Sequence, residues 1–131
     1  MFRDMKSHLD VAPSLAPATR ATGTATGDAV DLQNYTGAMA VFRTGAWTDG
    51  THTPALFESA DGTTYAAVAA ADLGGTFTAV SGTAGQNGVQ RVDYRGGKRY
   101  VKGMLVSGTS TTGLLSGLDI VRGNPVNGPL A

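Results

Sequence analysis

Two Asp-Gly dipeptides, Asp49-Gly50 and Asp61-Gly62, bracket a short apolar run inside GAWTDGTHTPALFESADGTTYAAVAAADL, residues 45–73. This block constrains the fold more than any other part of the chain. Asp hydrogen-bonds its own backbone locally and Gly accepts a positive φ without steric cost, so each dipeptide reverses the chain on its own. Between them PALFES, residues 54–59, reads as a strand, and TTYAAV, residues 63–68, reads as its partner. They are joined through Ser59-Ala60-Asp61-Gly62, a tight loop of the kind in which Gly often takes the left-handed position. Pairing this local predicts an antiparallel β domain.

The same punctuation recurs along the chain. Residues 19–26 alternate Thr and Ala, residues 29–32 form a second short candidate strand, and Asn34-Tyr35-Thr36-Gly37 reads as a turn. AMAVFRT, residues 38–44, is the clearest early strand. Its alternation puts Ala38, Ala40 and Phe42 on one face and Met39, Val41 and Arg43 on the other; both faces are largely apolar, as in a strand covered on both sides. Residues 66–73 can extend the hairpin or close it with a helical turn, since Ala favours helix. Residues 75–80 read as a further strand and residues 81–88 as a loop. Residues 88–94 and 99–107 flank Arg95-Gly96-Gly97-Lys98, whose Gly-Gly centre signals a hairpin. Residues 114–122 complete about eight strands.

The ends read differently. Residues 1–20 contain Pro13 and Pro17 and show no sustained period, so they are expected to form an N-terminal arm, with a short helical turn near residues 4–9. Residues 123–131 contain Pro125 and Pro129 and are expected to be an extended C-terminal tail, since Pro cannot donate to a ladder. The expected architecture is all-β: an antiparallel β-sandwich or jelly-roll-like domain over residues 21–122, with an arm at each end.

With 131 residues, one core suffices. Ten Lys and Arg balance ten Asp and Glu, so no global field favours nucleic acid or an anionic membrane. Without cysteine, neither a disulfide framework nor a thiolate metal site can form. The first ten residues mix both charge signs and lack the apolar stretch of a secretory signal, and no run reaches the ~20 apolar residues of a membrane span. Synthesis in a cytoplasm is the expectation.

Catalytic candidates are few. His8 and His52 are the only imidazoles, and His52 with Asp49 and Glu58 is the one conceivable cluster; solvated turn residues are the expected reading. Asp28, Asp31, Asp49 and Asp61 are scattered, unlike a calcium loop, and serve turns better. The glycines of residues 74–88 match neither phosphate-binding pattern. No catalytic residue, metal or cofactor is expected. Arg91, Arg95, Lys98, Arg99 and Lys102 form the one basic concentration, interleaved with Tyr94 and Tyr100. On a hairpin such cations guard a sheet edge or meet a protein partner, with nucleic acid the lesser alternative. Trp47 reads as a core plug under a loop or as an exposed anchor.

The block VDLQNYTGAMAVFRTGAWTDGTHTPALFESADGTTY, residues 30–65, and VDYRGGKRYV, residues 92–101, resemble the small cysteine-free β proteins that tailed bacteriophages encode near the major capsid gene. The resemblance extends over roughly residues 28–124 and implies a virion structural protein, closest to capsid decoration or cement proteins. It implies the major capsid protein as partner, a homo-oligomer with a trimer favoured, and a place on the capsid surface. Trp47, Arg91, Arg95, Lys98, Arg99 and Tyr100 are then the expected contact residues. Another virion part, such as a head-tail connector or tail protein, is the first alternative. The second is a glycan-binding β-sandwich, which needs Trp47 exposed together with Tyr35, Tyr65 or Tyr94.

Overall fold

In the computed structural model, which describes residues 5–126, ten strands are present among the described residues. They are β1 (Leu9–Arg20), β2 (Gly23–Thr26), β3 (Val30–Asp31), β4 (Tyr35–Trp47), β5 (Thr51–Ser59), β6 (Ala66–Ala67), β7 (Leu73–Gly74), β8 (Val89–Tyr94), β9 (Tyr100–Gly108) and β10 (Leu114–Pro125). One antiparallel sheet runs β1-β10-β4-β8-β7, here called the first sheet; the second runs β2-β9-β5-β6, with β3 also pairing β9. The pairs β1·β10, β2·β9, β4·β8 and β5·β6 are those of one long antiparallel ladder folded over on itself. That is the winding of a jelly roll, in which two sheets share one core and few edges are left open.

The two Asp-Gly turns form as the sequence predicts: Gly50 has φ +87° and Gly62 has φ +77°. Between the sheets, Phe42 and Ala40 of β4, Leu118 and Ile120 of β10, Leu56 of β5, and Val101 and Leu105 of β9 are buried. Alternation accounts for these residues, since every second side chain of a strand points to one face. Pro54 lies in β5 without breaking it. The N–H of His52 points away from β9, to the Val80 carbonyl, and two residues on Pro54 faces the same side, where β6 pairs only Phe57 and Glu58. The ladder loses no donor there.

Several expectations require correction. Residues 9–20 are not an arm but the edge strand β1, paired with β10 from Leu9↔Gly123 to Arg20↔Leu114. Pro13 and Pro17 are compatible because an edge strand donates on one side only, and register shifts between Pro13 and Leu15 and between Leu15 and Ala18 absorb them. The helical turn does form, as His8 and Leu9 both donate to the Met5 carbonyl. The sandwich also extends past residue 122, with Pro125 opposite Tyr35; the expected tail over residues 127–131 lies outside the described residues, as do residues 1–4. Residues 75–80 hold only one bridge, Val80 to His52, in place of a strand. Residues 66–73 split between β6, a short 3-10 turn at Ala70–Asp72, and β7.

The largest correction concerns Arg95-Gly96-Gly97-Lys98. It is not a hairpin turn: β8 lies in the first sheet and β9 in the second, so the segment crosses between sheets. Neither glycine adopts the positive φ that a two-residue hairpin needs. Finally, the sandwich covers only one face of β4; Met39 and Val41 stay half-buried on the outer face and Arg43 is exposed.

Candidate functional site

The expected contact residues do not form one patch. Trp47 ends β4 and is half-buried against the core, with its Nε1 donating to the Gly50 carbonyl at 3.0 Å and its backbone N–H donating to Gln86 Oε1 at 3.2 Å. It plugs the first Asp-Gly turn. Tyr35 starts the same strand, so it lies about 40 Å from Trp47 along a 13-residue strand. Tyr94 ends β8 opposite Ala38, Tyr100 starts β9, and Tyr65 follows the second Asp-Gly turn, with its ring under the Lys102 Nζ at 3.9 Å. The tyrosines therefore gather at one end of the sandwich and the tryptophan sits at the other. The aromatic constellation that the glycan-binding alternative requires is not assembled.

At the tyrosine end, the β3–β4 turn and the crossover from β8 to β9 enclose a groove of about 410 Å³, lined by Gln33, Tyr35, Thr36, Tyr94, Lys98 and Arg99 among others. Its polar groups are largely engaged. The Arg99 guanidinium forms a bidentate pair with Asp31, at 2.9 and 2.8 Å, and lies over the Tyr100 ring. That pair, helped by the Gln33 amide, holds the Asp31 carboxyl down at about 2. Tyr94 Oη donates to Glu58 Oε2 at 2.7 Å and accepts the Lys98 N–H at 3.0 Å, tying one sheet to the other. Burial and the bond to Glu58 push the Tyr94 hydroxyl up to about 12. Arg122 donates to the Asp31 carbonyl, pairs with Asp10 and stacks on Tyr35.

The basic residues face different ways. Arg91 stands opposite Val41 on the outer face of the first sheet, whereas Lys102 stands opposite Phe57 on the outer face of the second. Arg95 reaches Gly74 beside β7, and its N–H donates to the Asp72 carbonyl at 2.7 Å. A single strip of cations, as along a nucleic-acid groove, is not what the topology builds.

His52 is not a solvated turn residue. It is fully buried on the inner face of β5, with Nε2 2.9 Å from the Asp49 carbonyl and Nδ1 2.7 Å from Ser107 Oγ. A carbonyl accepts only, so Nε2 carries a hydrogen and donates it to Asp49, while Nδ1 and the Ser107 hydroxyl share the second bond. The Asp49 carboxylate turns the other way and accepts from Ser110 Oγ and from the N–H groups of Thr111, Thr112 and Gly113. These amides, Thr111 foremost, lower its pKa. Glu58 is engaged with Tyr94, so the conceivable His52, Asp49 and Glu58 cluster does not exist as a chemical unit. Asp61 accepts from Thr64 and Thr63 N–H and from Ser59 Oγ, which holds it at about 2.

Sequence reasoning missed the outer face of the first sheet. Val11 of β1, Val121 of β10, and Met39 of β4 stand in one row across three strands, with Val41 and Val89 beside them. Val11 is 60% exposed and Val89 58%. The signal lies in the two-sided apolar pattern of β4, whereas Val11 falls in residues 1–20, which read as an arm from sequence. No family model and no curated protein matches this chain.

Proposed function

We propose that this chain is a virion structural protein of the capsid decoration or cement type, which binds the head of a tailed bacteriophage and stabilises contacts between major capsid proteins. The observation that carries the reading is how the side chains are used. The groups with chemical capacity, His52, Asp49, Asp31, Asp61 and Glu58, are engaged in holding turns and sheets, while the outer face of the first sheet leaves Val11 and Val89 exposed and Met39 and Val41 half-buried. What the chain offers a partner is surface. A jelly roll suits this, since two stiff sheets present flat faces and the same fold recurs in capsid and lectin domains. Fold alone does not choose between those two; the separation of Trp47 from the tyrosines weighs against the lectin-like use.

In this reading the protein acts as a homo-oligomer, with a trimer favoured, seated on the capsid surface without cofactor. The tyrosine end, with Arg95, Lys98, Arg99 and Tyr100, and the outer face bearing Arg91 contribute the contacts; Trp47 serves the fold. Contact is made through sheet faces rather than through an N-terminal arm, because residues 9–20 are a strand.

Quantitative mass spectrometry of purified particles, with the major capsid protein as internal reference, tests the proposal. A copy number comparable to the capsid protein is expected. A handful of copies per particle would move the protein to a connector or tail, and none would overturn the virion reading.

A further inference from the structure

Among the described residues, nothing packs over the outer face of the first sheet. An antiparallel sheet in a sandwich normally turns polar side chains outward, giving apolar-in, polar-out alternation. Strand β4 breaks that rule, with Met39 and Val41 outward and Ala40 and Phe42 inward. Val121 and Val11 continue the Met39 row toward the edge, Pro13 stands beside Asp119, and Val89 follows Arg91 on β8. The outer side of the second sheet also carries Ala55, Phe57, Met104 and Val106, but with Thr24, Thr26, Thr51 and Thr53 set among them.

We infer that this face is where a second copy of the chain docks. Charge, relief and size favour that occupant. Charged residues of both signs lie among the apolar ones, Arg43, Arg91 and Arg95 with Asp93 and Asp119. A face of mixed signs can meet its own copy with unlike charges opposed; a face of one sign would repel it and call for a partner of opposite sign. Two hollows flank the apolar row: one of about 360 Å³ at Leu9, Met39, Val121 and Gly123, the other of about 320 Å³ at Pro17, Gly45, Leu115 and Gly117. These hollows give projecting side chains of a facing copy somewhere to insert.

Size fits as well. Five strands spaced ~4.8 Å apart and about five outward positions per long strand make a face of roughly 24 by 30 Å, about 700 Å². Two such faces bury about 1,400 Å², inside the range of stable specific interfaces. The inference specifies the self-association part of the proposal above, yet it concerns the free protein and can stand or fall apart from any virion.

Light scattering coupled to size exclusion on the full chain tests it, over a wide range of concentration. The wild type is expected to run at two or more chain masses. The double variant Val11→Lys/Val89→Lys, placed at the two most open apolar positions of the face, is expected to fall to one chain mass, about two-fold or more below wild type. Val106→Lys, 51% exposed on the other sheet, is the control and should leave the wild-type mass unchanged. Circular dichroism confirms that each variant is folded. A monomeric wild type would overturn the inference, as would a folded double variant that keeps the full mass, or equal dissociation by Val106→Lys. Particle copy number is a separate measurement, so its failure would leave this result intact.

Discussion

Ser14→Ala tests whether residues 9–20 hold the sandwich together or only lie along it. Strand β1 belongs to the first sheet, but Ser14 reaches across to the second: its Oγ accepts the Gly103 N–H and donates to the Asp28 carbonyl, both at 2.8 Å. Ser14 is 3% exposed, and a Cβ on neighbouring Gly27 would lie 2.4 Å from Ser14 Oγ, so the seam is closed to solvent. Alanine leaves the buried Gly103 N–H without an acceptor, costing about 1–3 kcal/mol, and removes a second hydrogen bond worth about 1 kcal/mol. The expected loss is about 2–4 kcal/mol. At an unfolding entropy of about 2.1 cal/mol/K per residue, a domain of this length loses roughly 7–15 °C in Tm. Urea unfolding followed through the single Trp47, with calorimetry beside it, reads both quantities. A loss below about 0.5 kcal/mol at an unchanged denaturant slope would refute the argument and return these residues to the status of a dispensable arm.

Further outcomes follow from the same contacts. Removing residues 1–20 should yield an insoluble or unfolded protein, because it uncovers β10 along its length and deletes the buried Leu15; a folded truncation by circular dichroism would contradict this. Phe42→Ala, at a fully buried site between the sheets, should cost about 3–5 kcal/mol in urea unfolding, and a cost under about 1 would mean the core is elsewhere. Gly113→Ala combines a φ of +100° with a Cβ placed 1.7 Å from the Arg20 carbonyl oxygen, so it should destabilise by more than about 1 kcal/mol, measured by the same assay. Acid should weaken the fold in a defined window. Asp31 and Asp61 sit at about 2 when folded, so the unfolded chain, near the ordinary ~3.9, takes up protons first; their stabilisation is full above about pH 4 and lost as pH falls toward 2. Tm against pH should show that slope, shallower in Asp61→Asn, and a flat profile would refute it.

The sequence by itself determined what depends on near neighbours. Asp49-Gly50 and Asp61-Gly62 turn the chain because Asp and Gly favour those dihedrals locally, and the strands around them were legible for the same reason. The inward Ala40 and Phe42 follow from alternation alone. So does the outward Met39 and Val41 pair, whose two-sided pattern points to a covered face; among the described residues no element covers it. Only the tertiary structure decided which strand meets which. Arg95-Gly96-Gly97-Lys98 looks like a hairpin in sequence, yet β8 and β9 part to opposite sheets, where β8 pairs with β4 and β9 with β5. Pro13 and Pro17 argue against a strand until β10 offers a neighbour on one side only. His52 reads as a turn residue until Ser107, 55 positions away, supplies the partner that lets an imidazole be buried. Such facts rest on contacts between residues far apart in the chain, which no local propensity encodes, and the bare outer face becomes visible only when those contacts have assigned every other surface.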